Sequence, residues 1–145
     1  VLRTFSKAYG LAGMRVGFCI AHSAVAHALR QTQVPFGVSN LAQVAAIASL
    51  QSEDALMERV DHLVQERTRV QAALANQGWE LPASQANFIW FPLGDRITEF
   101  VSACEAVNLS VRRYADDGVR VTIAEPEAND RLLTLTPAFV PAVHH

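Results

Sequence analysis

Residues 3 to 21, RTFSKAYGLAGMRVGFCIA, set the tightest limit on what this chain can fold into. The run VGFCIA is continuously apolar and bounded by glycine and a polar turn, the pattern of a strand covered on both faces, as in parallel sheets. VLRTF reads as a strand already under way, so the lysine-bearing stretch between them is a loop joining two short strands. Val1 is no natural initiator, and the chain is expected to be a piece of something longer.

Helices dominate the next stretch. Ser23 to about Thr32 is alanine-rich and helical in pattern, and Pro35 with Gly37 breaks it. Asn40 with Gln43 has the form of a capping box for a helix running through about Leu50. Ser52, Glu53 and Asp54 open the longest helix, along which Leu56, Val60, Leu63, Val70 and Leu74 recur at helical spacing until Asn76 to Gly78 stops it. Arg67 is the one charge on that apolar stripe.

Beyond Gly78 the composition changes. NFIWF reads as a buried strand, and Ile97, Phe100, Val101, Cys104 and Val107 mark an amphipathic helix. LSVRRY and GVRVTIA read as further strands. Pro126 opens a last helix at its first position, with Glu125 and Glu127 beside the positive end of the dipole. Two pieces of different architecture are expected, residues 1-51 and residues 52-145.

Half of the 145 residues are hydrophobic and 18 % are charged, a balance that permits a sizeable core. A net charge of −2 without a polybasic run argues against nucleic acid or an anionic membrane as partner. No charged leader precedes an apolar segment, and no apolar stretch reaches the roughly 18 residues of a membrane span. Cys19 and Cys104 sit in apolar runs without metal spacing and read as reduced core thiols of a cytoplasmic protein. His22, His27, His62, His144 and His145 lack ligand spacing, so no metal is expected, and the terminal pair reads as a tag.

Against this background Lys7 stands out. A lone loop lysine is ordinarily a solvated surface charge, but its neighbours here are small or apolar. Gly10, Gly13 and Gly17 let backbone approach a ligand, Ser6 offers a hydroxyl, and Arg15 offers a rigid fork of donors suited to a phosphate dianion. A G-x-x-x-x-G-K-[ST] loop is not present. What remains is a nucleophilic amine beside a phosphate grip.

The pattern S-K-x-x-G-x-x-G-x-R-x-G, standing as SKAYGLAGMRVG, resembles the cofactor-lysine segment of pyridoxal-phosphate aminotransferases of fold type I. The histidinol-phosphate and aromatic amino acid aminotransferase group is the nearest in pattern. VPFGVSNLAQVAA, ANFIWFPL and GVRVTIAEPEANDRLL continue the resemblance in the family's order over nearly the whole chain. It implies an α/β fold: residues 1-51 would end a large, mostly parallel-sheet cofactor domain, and residues 52-145 would form the small C-terminal α/β domain.

The resemblance further implies that Lys7 is the Schiff-base lysine and that Ser6 and Arg15 hold the phosphate of pyridoxal 5'-phosphate. Arg120 would hold the substrate α-carboxylate, Asn87 would lie near the substrate, and Arg112 would reach a side-chain phosphate. For Arg120 the residues argue the same way. Val119, Val121 and Ile123 would face the core of a strand, turning Arg120 and Thr122 to the other face, where an arginine needs either a ligand anion or a structural acid. Arg113 blurs the register at Arg112, Asn87 also suits a turn, and Tyr9 either lines the pocket or packs.

The chemistry so implied has the Lys7 amine shuttle a proton between the substrate Cα and the cofactor, with an amino acid and a 2-oxo acid as substrates. Near pH 7 this needs a lysine pKa roughly 3 units below that of a free lysine, which an apolar surround can supply by desolvation. The carboxylate that family members set on the pyridinium nitrogen belongs to sequence upstream of Lys7. Asp54, Asp61 and Asp95 are poor substitutes, so the piece alone is expected to be inactive. Family members are homodimers. A decarboxylase of the same fold and a non-catalytic association domain are the alternatives.

Overall fold

The computed structural model describes residues 1–141, and His144 and His145 lie outside the described residues. Two units separate, Val1–Asp61 and His62–His145. The division falls inside a long helix, whereas position 51 marks the junction between that helix and the one before it.

In the first unit, strands β1 (Leu2–Thr4) and β2 (Gly17–Cys19) pair antiparallel, with Leu2 opposite Cys19 and Thr4 opposite Gly17. A side chain at Gly17 would stand 2.7 Å from the Arg3 carbonyl, so the close pairing of the hairpin requires glycine here. The doubly covered strand expected at VGFCIA is open on this chain. Phe18, Cys19 and Ile20 are exposed, because among the described residues β2 pairs with β1 alone. Cys19 is therefore not a core thiol here.

Helix α1 (Ser23–Thr32) runs over the predicted span and is capped by His22, whose Nδ1 accepts from Ala24 N at 3.3 Å. Helix α2 (Asn40–Gln51) is capped by Ser39, one residue before the predicted box. Ser39 has the extended backbone that a cap requires, and its Oγ accepts from Ala42 N at 3.2 Å. Gln43 turns instead to the Val38 carbonyl.

Helix α3 (Glu53–Asn76) ends in the second unit, where Val70 and Leu74 are buried. Strands β3 (Phe88–Phe91), β4 (Arg112–Tyr114) and β5 (Gly118–Thr122) form an antiparallel sheet in the order β3-β5-β4. Helices α4 (Ile97–Ala106) and α5 (Pro126–Leu135) complete the unit, with Pro126 in the first turn of α5 as predicted. One core joins Leu74, Ile89, Phe91, Phe100, Val119 and Leu132, and edge-to-face contacts lock Trp79 to Phe91 and Phe100 to Phe139. Cys104 is fully buried in it, and burial pushes its thiol up to about 11.

Candidate active site

The lysine loop is built on Phe5, the buried side chain at its start. The Phe5 backbone closes the loop by donating to Val16 O and accepting from Leu11 N, while Gly10, in the left-handed region at φ +69°, donates back to Lys7 O. The Phe5 ring packs against Tyr9 with centroids 4.8 Å apart and planes tilted by 46°. Tyr9 packs: its hydroxyl donates to Glu53 Oε1 at 3.1 Å, which raises its pKa above the ordinary phenol value, and its carbonyl accepts from Ser49 Oγ.

Lys7 itself is exposed, and among the described residues its side chain has neither hydrogen-bond nor ion-pair partner. Among the described residues the desolvating surround expected from the sequence is not supplied. Its glycines and alanines carry too few atoms to exclude water: a Cβ built at Gly10 or Gly13 would meet nothing within 4 Å.

Ser6 and Arg15 do come together. Both line a cavity of about 770 Å³ between the β1–β2 hairpin and α1, along with Arg3 and Arg30, and no Asp or Glu contributes to its wall. Lys7, next in sequence to Ser6, is not part of that wall. Arg15 caps the single turn Ala12–Met14 in a left-handed conformation, φ 53°, uncommon for a residue with a side chain. Its Nη1 donates to Ala12 O at 2.8 Å, which fixes the guanidinium over the loop. Three arginines around one cavity with no acid make a site of positive potential.

The other candidates belong to the second unit. Val119, Val121 and Ile123 are buried while Arg120 and Thr122 take the opposite face, as the strand period predicts. Among the described residues Arg120 forms no ion pair; its guanidinium lies 5.4 Å over the Phe88 ring, and its Nε is buried without a partner. Arg112 stands directly opposite Arg120 in register and 5.2 Å from the Tyr114 ring. Arg113 faces the other way, opposite Val119, and is engaged by Ala115 O and Thr98 Oγ1, which separates the roles of the two neighbours.

Asn87 precedes β3, half-buried, with its carbonyl accepting from Ile123 N at 2.9 Å. The backbone ahead of it is held by Arg67, buried on α3, whose Nη1 donates to Gln85 O at 2.7 Å and Ala86 O at 3.2 Å. The charge that interrupts an apolar helical stripe is thus explained by a strand entry it organises. Asn129 does the same after β5. It is buried, accepts from Ala124 N, and donates to Ala124 O and Glu66 Oε1. Nothing in its spacing announced that role.

Among the described residues no helix is long and apolar enough to cross a membrane. Asp54, Asp61 and Asp95 are exposed.

The model of the aminotransferase class I and II family matches residues 1–134. An aromatic amino acid aminotransferase of Streptomyces avermitilis is 61 % identical over 139 residues, 96 % of this chain and 39 % of that protein. One from Thermobifida fusca is 52 % identical over the same length. Among solved structures, a candidate aminotransferase of Burkholderia pseudomallei aligns with TM-score 0.81 at 28 % identity, over 97 % of this chain and 45 % of that one. Histidinol-phosphate aminotransferase of Sinorhizobium meliloti, in complex with pyridoxal-5'-phosphate, aligns with TM-score 0.72 at 28 % identity, over 96 % and 40 %. The chain thus spans about two fifths of the length of the relatives it matches.

Proposed function

Because the chain belongs to the class I and II aminotransferase family, we propose that it is the C-terminal part of a pyridoxal-phosphate-dependent enzyme that moves an amino group between an aromatic amino acid and a 2-oxo acid. The aromatic substrate class is suggested by the names of the Streptomyces and Thermobifida relatives. The observation that carries the reading is the cavity on which Ser6 and Arg15 meet, walled by guanidiniums and by no carboxylate. Such a wall fits a phosphate monoester.

Bound there, pyridoxal phosphate supplies an aldehyde that condenses with amines and a ring that withdraws electrons from the amino acid Cα. The residues of the chain do the rest. Ser6 and Arg15 would hold the phosphate, and Lys7 Nζ, adjacent in sequence, would take the proton from the substrate Cα and deliver it to the former aldehyde carbon of the cofactor. Arg120 would donate to the α-carboxylate from its guanidinium, unpaired among the described residues, and Asn87, at the entry to β3, would border the substrate. Lys7 must work unprotonated. The groups that dry it come from outside this segment, as does a carboxylate for the ring nitrogen, so the segment alone is inactive. A homodimer in the cytoplasm, with residues 1-51 closing the cofactor domain and 52-145 forming the small domain, completes the proposal.

Full-length protein with pyridoxal phosphate, phenylalanine and 2-oxoglutarate tests it, with phenylpyruvate and glutamate as the expected products. Carbon dioxide release without an oxo-acid product would assign a decarboxylase instead. A strong preference for histidinol phosphate over phenylalanine would move the substrate class to amino alcohol phosphates.

A further inference from the structure

We propose that Ser49 on α2 and Tyr9 in the lysine loop are positioning residues for Lys7, fixing the backbone from which its amine reaches the substrate Cα. The inference rests on the aminotransferase reading above and adds to it the residues that aim the lysine.

It starts from what Lys7 lacks. Its side chain has no hydrogen-bond or ion-pair partner among the described residues, so the place of its amine is set by the backbone that carries it. That backbone is a turn in which Gly10 N donates to Lys7 O at 2.9 Å, followed by Leu11 N donating to Phe5 O at 2.8 Å. Both bonds are local, as is that from Ser6 N to Thr4 Oγ1. They shape the turn without tying it to a helix.

Tyr9 supplies the tie, and does so twice. Its carbonyl accepts from Ser49 Oγ at 3.1 Å and its hydroxyl donates to Glu53 Oε1 at 3.1 Å, partners 40 and 44 residues along the chain. A hydroxyl inside a helix ordinarily turns back on the carbonyl one turn earlier. Those of Thr32, Thr68 and Thr134 do so, on Ala28, Val64 and Asp130. Ser49 instead leaves its own helix for a loop carbonyl. Ala42, Ala46 and Ser49 share one face of α2, and the two alanines are buried, too short to hold a neighbouring loop away. α2 packs on the single turn Ala12–Met14 of that loop, and the Phe5 ring backs the Tyr9 ring. Loss of an anchor two residues from Lys7 displaces its Cα, and catalysis falls steeply with small misplacements of the reacting group.

The full-length protein tests this by two readouts: amide hydrogen exchange without cofactor, and holoenzyme kinetics with phenylalanine and Cα-deuterated phenylalanine. Ser49→Ala keeps α2, since alanine is the better helix former. It should speed exchange of the Gly10 and Leu11 amides about fivefold, as expected for one lost hydrogen bond. In the holoenzyme it should lower kcat about tenfold, keep KM for phenylalanine within about twofold, and enlarge the deuterium isotope effect because proton transfer then limits turnover. Tyr9→Phe should change all of these in the same direction. Glu53→Gln keeps an acceptor for the Tyr9 hydroxyl and should match wild type throughout. Unchanged amide exchange in Ser49→Ala, a loss of kcat with no rise in the isotope effect, or a Glu53→Gln variant as impaired as Tyr9→Phe would overturn the proposal. Wild-type protein that fails to transaminate would bring down the aminotransferase reading, and the proposal with it, whatever the variants show.

Discussion

The two units bury their apolar residues very differently. In Val1–Asp61 the buried apolar side chains are Phe5, Ala42 and Ala46, while Leu41, Val44, Ile47 and Leu50 recur along α2 and stay exposed, as do Val34 and Phe36 in the loop before it. In the second unit one continuous core runs from Val70 to Phe139. The second unit carries its own reasons to fold. The first has strands and helices patterned for burial, but the partners for that pattern are not among its own residues.

The largest effect that would separate the two is at the centre of the second core. Phe100→Ala should cost about 3–5 kcal/mol, because it empties a site that Phe91 and Phe139 cannot refill. Ile47→Ala on the open face of α2 should stay within about 0.5 kcal/mol. Urea denaturation of the chain reads both, and equal losses would erase the contrast.

A smaller effect is expected at the entry to β3. Arg67→Met keeps the volume on α3 but strands the carbonyls of Gln85 and Ala86, for a loss of about 2 kcal/mol. An unchanged denaturation midpoint would mean that Arg67 does not organise this entry.

The smallest concerns acid. Glu66 accepts hydrogen bonds from Arg69 and Asn129, and chiefly the Arg69 bond holds its pKa below the ordinary carboxylate value. Its contribution is fully present above the unfolded value, about 4.3, and is lost as pH falls through the lower folded value. Glu66→Gln should therefore lower stability most at near-neutral pH and flatten the acid limb, with variant and wild type converging as pH falls. An identical acid limb in the variant would remove Glu66 from the account.

The same contrast governs how much was legible in the sequence. Where a residue's role is set by its own element, the periodicity revealed it: Arg120 falls on the face opposite Val119 and Val121, and Pro126 begins α5. Where a role depends on distant residues, the pattern failed. VGFCIA has the composition of a doubly covered strand, but coverage is a tertiary property, and Cys19 is exposed. Lys7 was expected in a dry pocket because its neighbours are apolar or small, yet small residues displace little water. Gly118 and Asn129 gave no warning at all, since an indole leaning over a glycine and an amide closing on Ala124 are both long-range facts. The loop itself was readable because Ser6, Lys7, Gly10 and Arg15 are close in sequence.

The central claim is that this loop holds the cofactor through Lys7. The full-length protein loaded with pyridoxal phosphate, reduced with borohydride and digested should carry a saturable label on the peptide containing Lys7, the only lysine of this 145-residue segment, and Lys7→Ala should abolish it. A transaminating enzyme whose label sits on another lysine, or that retains its label in Lys7→Ala, would contradict the account.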